Sequence, residues 1–469
     1  MQTSYTTYPK SMVDYEGTKY DLCRENNSGV KKLVVKGKTS GFHGIKSPEV
    51  DGLVCDLNDE NAIVLKARLP WLNPVPLGLK KSFGFGDRLG LATPGHIDAL
   101  NGLEIQPIFA QQSVRENART NRSASSVLFD AVWGIFQSGW KKPWGADADH
   151  IKLPELLDGF VQAGYTFYTV DPGDHVVHQA DHYSLDQLRE QMNGVPWSAL
   201  ATTLQQIRRD WIDRDIPSIG IRFTEQSLLR ALVKYGNAIV HARMVFEALR
   251  TKLGSDDFDF EVSVDETDSP TSVEEHFFIA HELRRIGVRW TSLAPRFVGR
   301  FEKGVDYIGD LKEFEESLNR HAKVADFFGT YKISLHSGSD KFSVYPLVNQ
   351  YTHGMLHVKT AGTSYLEALR VVALKQPDLF DEIFAFSKSR YLQDKVSYHV
   401  SAELEKIPKN LPKRSQYLDE FNSRQVFHVT YGSVLAQFKS QIYQVLRLNE
   451  VVYDQVLASH FNHHLSLIS

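Results

Sequence analysis

The chain has 469 residues, of which 42% are hydrophobic and 23% charged, the proportions of an ordinary globular protein with room for a large core. With 53 basic against 57 acidic side chains, a net charge of −4, and no window near the ~18 consecutive apolar residues of a membrane span, neither a nucleic-acid nor a membrane partner is expected. Cys23 and Cys55 stand in no metal-binding spacing, and MQTSYTTYPKSMVDYEG has no apolar signal core, so a reducing cytoplasm is the expected compartment.

Residues 1–80 mix Tyr, Lys and short apolar runs such as Lys32 to Val35 with Gly and Pro, and read as a β-rich N-terminal cap. From residue 82 a rhythm begins. Eight apolar segments each end in polar or charged residues: Ser82 to Arg88, Ile105 to Gln111, Trp144 to His150, Tyr165 to Asp171, Phe258 to Glu266, Val288 to Arg296, Tyr331 to His336 and Met355 to Thr360. Helical spacing of apolar residues lies between most of them, at Ser125 to Phe136, Leu153 to Ala163, Thr271 to Ile286, Asp310 to Phe328 and Ser364 to Leu374. Thr271 with Glu274 and Asp310 with Glu313 fit capping boxes, and Gly164 and Gly287 stand where a glycine closes a helix. Strand then helix, eight times, is the count of a TIM (β/α)8 barrel over residues 81–376, with a doubly wound sheet as the alternative.

The spacing is uneven after the fourth segment. An insertion, 173–257, containing a long helix around Glu225 to Lys252, is expected on the C-terminal face as a lid. Residues 377–469 form a helical extension that either covers the barrel or contacts a second copy in a homo-oligomer; His463 and His464 read there as a polar tail. GFGDRLG at Gly84 to Gly90 is glycine-rich but lacks the register of a dinucleotide fingerprint.

FDFEVSVDET, Phe258 to Thr267, sets the theme: an apolar strand buried on both faces that stops in two carboxylates, Asp265 and Glu266. Barrel enzymes keep their chemistry at that end of the strands. The other segments finish on Asp87 and Arg88, Gln111 and Gln112, Asp149 and His150, Asp171, Arg296, His336, then Lys359 and Thr360. Two imidazoles among carboxylates suit a borderline divalent metal. Asp171, in TVDPGD, fits either a site carboxylate or an Asp-Pro-Gly turn. Arg115, Arg119 and Arg122 either converge on an anion or line a solvated face. Lys359 suits a substrate oxygen, a Schiff base or charge pairing in the rim.

GFGDRLGLATPGH (Gly84 to His96), FAQQSVREN (Phe109 to Asn117), GADADHIK (Gly145 to Lys152), FEVSVDET (Phe260 to Thr267), TSLAPRFVG (Thr291 to Gly299), SLHSGSDKFSVYP (Ser334 to Pro346) and HVKTAGTSYLEALRVVA (His357 to Ala373) together resemble the tagaturonate epimerases, metal-dependent enzymes of hexuronate breakdown. The resemblance implies interconversion of D-tagaturonate and D-fructuronate with a divalent cation: zinc, manganese, nickel, cobalt or iron. It implies Asp149 as proton acceptor, Glu266 as proton donor, and His150 and His336 as metal ligands. For a third ligand the candidates are Asp306, in GVDYIGD, and Asp171. Arg88, Gln112, Arg115, Asp171, Arg296 and Lys359 are placed around the sugar acid.

The chemistry sets its own constraint. Numbered from the carboxylate, carbon 3 inverts while the ketone is at carbon 5, so enolisation cannot reach it. Retro-aldol opening of the bond between carbons 3 and 4, rotation of the aldehyde and closure on its other face can. A metal-dependent ketose isomerase, a class II-type aldolase, an epimerase of the neutral ketoses tagatose and fructose, and a sugar-binding protein without activity are the competing readings.

Overall fold

Each of the eight segments supplies one strand of a closed, all-parallel barrel. The strands are β1 (Ser82–Gly86), β2 (Gln106–Ser113), β3 (Gly145–Ile151), β4 (Phe167–Val170), β5 (Asp259–Ser263), β6 (Ser292–Ala294), β7 (Lys332–Leu335) and β8 (Leu356–Thr360). Every strand pairs with its neighbours in sequence, and β8 closes on β1 through His357↔Ser82 to Thr360↔Phe85. The doubly wound alternative is thereby excluded. This computed structural model describes residues 5–212 and 215–469; residues 1–4 of the cap and 213–214 of the insertion lie outside it.

The expected crossover helices form at Ala124–Ser138, Leu157–Ala163, Val273–Arg285, Leu311–Phe328 and Thr363–Lys375. Gly164, at φ 94°, ends its helix in the left-handed region as a C-cap glycine should. The capping box of the helix after β5 falls one residue later than expected, on Ser272 and Glu275. Thr271 is taken by β6 instead: its Oγ1 accepts the Arg296 N–H at 3.0 Å. Asp310 caps its helix with a carboxylate that accepts the Lys312 N–H at 2.8 Å.

The N-terminal region is a six-stranded antiparallel sheet between Tyr5 and Asp56, followed by the helix Asp59–Arg68. Its connection then runs beneath the barrel, where the Leu77 and Gly78 N–H groups donate to the Asp259 carboxylate and Leu77 packs on Ile108 and Phe167. That plug shuts the N-terminal end of the barrel and leaves the other end for ligands.

Within the insertion, the helix Glu225–Leu253 packs against Val273–Arg285 as the ordinary crossover from β4 to β5. The short helices Leu185–Gln191 and Leu204–Trp211 stand outside it, and Leu200 and Ala201 reach as far as Arg285 at the helix C-terminus. That part of the insertion is laid along the barrel's flank, while its first residues stay at the strand ends, where His178 Nδ1 accepts the Asp268 N–H at 3.3 Å and Lys152 donates to Asp174 at 2.9 Å.

The C-terminal helices Pro377–Asp394, Phe421–Val429, Tyr431–Leu448 and Glu450–Ser466 wrap the barrel near β1 and β8. Phe461 packs against Phe83, Phe85 and His96, which joins the last helix to the core. His463 is exposed, but His464 is fully buried and accepts the Asp340 N–H at 3.1 Å, which corrects its reading as a polar tail. Among the described residues no helix is long and apolar enough to cross a membrane.

Candidate active site at the barrel mouth

Strand β3 carries the first part of the site. In GADADHI, alternation puts Asp147 and Asp149 on one face and Ala146 and Ala148 on the other. The pairing of β3 with β4 then slips, from Tyr168↔Ala148 to Val170↔Ile151, so one extra residue is inserted. That residue is His150, at φ 57°, a left-handed conformation that a side chain adopts only at some cost. The bulge breaks the alternation, so two successive side chains, Asp149 and His150, serve the same mouth.

Strand β5 supplies Glu261 and Ser263 by the same period of two, Asp265 stands in the turn just after it, and His336 follows the end of β7. The rings of His150 and His336 are 5.3 Å apart between centroids. Each is held through one nitrogen by a buried carboxylate. His336 Nε2 lies 2.6 Å from Glu261 Oε1, and His150 Nδ1 lies 2.8 Å from Asp149 Oδ1. The other nitrogens look toward carboxylates as well: His336 Nδ1 is 3.0 Å from Asp265 Oδ1, and His150 Nε2 is 3.8 Å from Glu266 Oε1.

Below them Lys359 sits among three carboxylates, its Nζ 2.7 Å from Asp147, 2.8 Å from Asp149 and 2.9 Å from Glu261. Burial opposes its charge, but Asp147, Asp149 and Glu261 outweigh that and hold the ammonium well above the usual lysine range. An amine so firmly protonated is no Schiff-base nucleophile, and the Lys359 side chain acts on Asp149 instead.

The same balance runs through the cluster. Burial would raise Asp149, yet His150 and Lys359 keep it well below the carboxylate range, with the Gln111 amide donating to its Oδ2 at 3.0 Å. Burial would likewise raise Glu261, which Lys359 and His336 hold well down. Three carboxylates share one ammonium, and burial with the charges of Asp149 and Glu261 pushes Asp147 up to about 7. Burial would lower both imidazoles. Asp149 raises His150 to about 10 instead, and Asp265 with Glu261 raises His336 to about 9.

One ligand atom from each of His150, Asp265 and His336 lies within 4.8 Å of the others, and the same holds for His150, Asp171 and Glu266. Imidazoles oriented by carboxylates at their far nitrogens are how proteins prepare metal-binding histidines. The donor set therefore fits a divalent cation. Asp171 serves both of its readings: Oδ1 accepts the Gly173 N–H at 2.9 Å, while buried Oδ2 has no hydrogen-bond partner among the described residues and stands 3.8 Å from Lys152.

Several expected site residues are elsewhere. Asp306 accepts hydrogen bonds from Ser343 and from the Tyr307 N–H in an exposed loop, apart from both histidines, so Asp265 takes its place in the cluster. Arg88 is buried, bonds Glu116 through two nitrogens at 2.7 and 2.9 Å, and stacks on the Tyr431 ring, which leaves it nothing for a substrate. Gln112 is consumed by Thr120 and Arg122. The arginine trio does not converge: Arg122 goes to Asp130, Arg119 to Ser397 and Tyr398, and Arg115 faces Glu266 at 3.7 Å.

A cavity of about 190 Å³ opens over this cluster, lined by Arg115, Asp265, Glu266, Arg296 and His336 together with Lys303 and Tyr398. Tyr398 comes from the C-terminal extension. Among the described residues the lining includes none of the insertion 173–257, and the C-terminal extension enters it through Ser397, Tyr398 and His399. Asp147, Glu261 and Lys303 went unmarked in the sequence. The first two were within reach, since each lies two or four residues from a marked carboxylate on the same strand face.

The profile of the tagaturonate epimerases (UxaE) matches residues 8–468. The chain belongs to the tagaturonate epimerase family. A tagaturonate/fructuronate epimerase of Thermotoga maritima is 43% identical over 477 residues, which cover 99% of this chain and 97% of that protein. The crystal structures of a fructuronate-tagaturonate epimerase from Cohnella laeviribosi, native and with one glycerol bound, superpose with a TM-score of 0.92 at 35% identity, over 99% of this chain and 96% of theirs. The family membership therefore extends over the cap, the barrel and the C-terminal helices alike.

Proposed function

We propose that this chain interconverts D-tagaturonate and D-fructuronate with a divalent cation held by His150, His336 and Asp265, and that it does so in the cytoplasm. The observation that carries this reading is the convergence of those three ligand atoms within 4.8 Å at the C-terminal mouth of a family-typical barrel. Residues 81–376 are the catalytic unit, with 1–80 and 377–469 as its plug and outer wall. Both cysteines are free and buried, in keeping with a reducing compartment.

When bound, the cation supplies Lewis-acid charge to substrate oxygens at the mouth. The protein groups manage the protons. Asp149, kept ionised by Lys359 and oriented by Gln111, takes the proton from the carbon-3 hydroxyl. The bond between carbons 3 and 4 then opens, its electron pair passing toward the carbon-5 ketone, and carbon 3 becomes an aldehyde. After that aldehyde has turned over, the bond reforms on its other face and Glu266 returns a proton to the new carbon-3 oxygen. Glu266 is left ionised 3.7 Å from Arg115, and exchange with solvent then returns a proton to Glu266 and removes one from Asp149.

The test is to incubate metal-loaded protein with tagaturonate and, separately, with tagatose, and to identify products by NMR. Fructuronate as the sole product of tagaturonate supports the proposal. Three-carbon fragments as net products would make the chain an aldolase, and an aldose product would make it an isomerase.

A further inference from the structure

The cavity mixes acidic and basic side chains, and two of its four cations are already matched. Arg115 faces Glu266 at 3.7 Å and Arg300 faces Glu302 at 3.4 Å. Arg296 and Lys303 have no carboxylate within ion-pair distance among the described residues, and of these two only Lys303 is tied by a side-chain hydrogen bond to the histidine cluster. Its ammonium donates to Ser337 Oγ at 2.7 Å, and Ser337 directly follows His336. Glu116, which feels the Lys303 charge at longer range, is spent on two bonds to Arg88.

The loop bearing Lys303 is held firmly. Fully buried Lys341 donates to the carbonyls of Glu302 at 2.8 Å, Val305 and Ser339, stitching 302–305 to the segment that follows His336. Lys341 meets carbonyls alone, and its part here is to fix the loop. A half-buried ammonium in a fixed place, with a hydroxyl and no counter-ion, is prepared for an anion brought by the ligand.

We propose that Lys303 is a specificity-determining residue that binds the carboxylate of the hexuronate. This inference rests on the uronate reading above. The chemistry agrees with it, because one carbon separates the carboxylate from the inverting centre. Rotation about the bond between carbons 2 and 3 exchanges the aldehyde's faces without moving carbon 1, so an anchored carboxylate keeps the fragment in place while it turns. The anchor must therefore stand beside the reacting groups, as Lys303 stands beside His336 through Ser337.

The experiment compares wild type, K303M and K303R in kcat/KM for tagaturonate and for tagatose, and in competitive inhibition by D-glycerate and by glycerol. K303M is expected to lower kcat/KM for tagaturonate about 10- to 100-fold, chiefly through KM, the range of a lost hydrogen bond to a charged group. Tagatose turnover stays unchanged, the preference for glycerate over glycerol disappears, and K303R restores most of both. An equal loss on charged and neutral ligands would reduce Lys303 to a support for Ser337 and overturn the inference, as would an unchanged glycerate preference. A wild-type protein active on tagatose and inert on tagaturonate would instead overturn the uronate reading itself.

Discussion

His150 Nδ1 donates to Asp149 Oδ1 across 2.8 Å, a bond between adjacent residues that exists because the strand bulges at His150. Side chains one apart on a regular strand point to opposite faces and cannot meet in this way. The bulge makes one carboxylate both the orienter of an imidazole and, in the proposed mechanism, the base that takes the carbon-3 hydroxyl proton. Asp149→Asn is expected to lower kcat about 10²- to 10⁴-fold, the usual worth of a positioned base. Its metal affinity should fall by no more than about 10- to 100-fold, the worth of an outer partner to a ligand. Steady-state kinetics with metal analysis of the same preparation checks both.

In the proposed donor set the third ligand is Asp265 and not Asp306. Asp265→Ala, like His150→Ala and His336→Ala, is expected to abolish stoichiometric metal binding in calorimetric titration. Asp306→Ala should leave the stoichiometry intact and cost only about 1 kcal/mol of stability, for its loop bonds to Ser343 and Tyr307.

Lys359 is the single ammonium among Asp147, Asp149 and Glu261. Lys359→Met leaves buried carboxylates uncompensated, and denaturant unfolding should show a loss of about 3–5 kcal/mol. Activity should fall with it, since Asp149 loses a fixed partner.

Metal-free protein should lose stability as pH rises. Unfolded histidine titrates near 6.5, whereas His150 is raised to about 10 and His336 to about 9 in the fold. A raised folded pKa means that the stabilisation from the charged form is complete below about 6.5 and is lost as pH climbs through 9 and 10. Melting temperatures of chelated protein between pH 6.5 and 10 should therefore fall. Metal binding must displace those protons, so affinity rises with pH over the same window and proton release is measurable in weak buffer.

The barrel was legible because each strand is a short apolar run that ends in polar residues, a local pattern that needs no distant partner. His150, His336, Asp149 and Asp265 were legible for the same reason, as strand-end residues. What misled was any side chain whose partner is remote in sequence. Arg88 stands at a strand end like a substrate ligand, but Glu116 and the Tyr431 ring claim it, and nothing local announces a ring from the C-terminal extension. His464 reads as a polar tail until its helix folds against Asp340. The length of the insertion was visible in the sequence, but its course was not, since its partners Asp268 and Arg285 are remote. Lys303 follows Glu302 directly in sequence, but Glu302 turns to Arg300, and only the shape of the cavity shows where the lysine points.

The central claim is that one divalent cation is gripped by His150, Asp265 and His336. Anomalous scattering from crystals of the protein grown with manganese or zinc locates that ion directly. A single strong peak within bonding distance of all three side chains is the predicted result. A peak at Asp340, His460 and His464 with none at the barrel mouth, or a mouth peak that contacts Asp306 in place of Asp265, would contradict it.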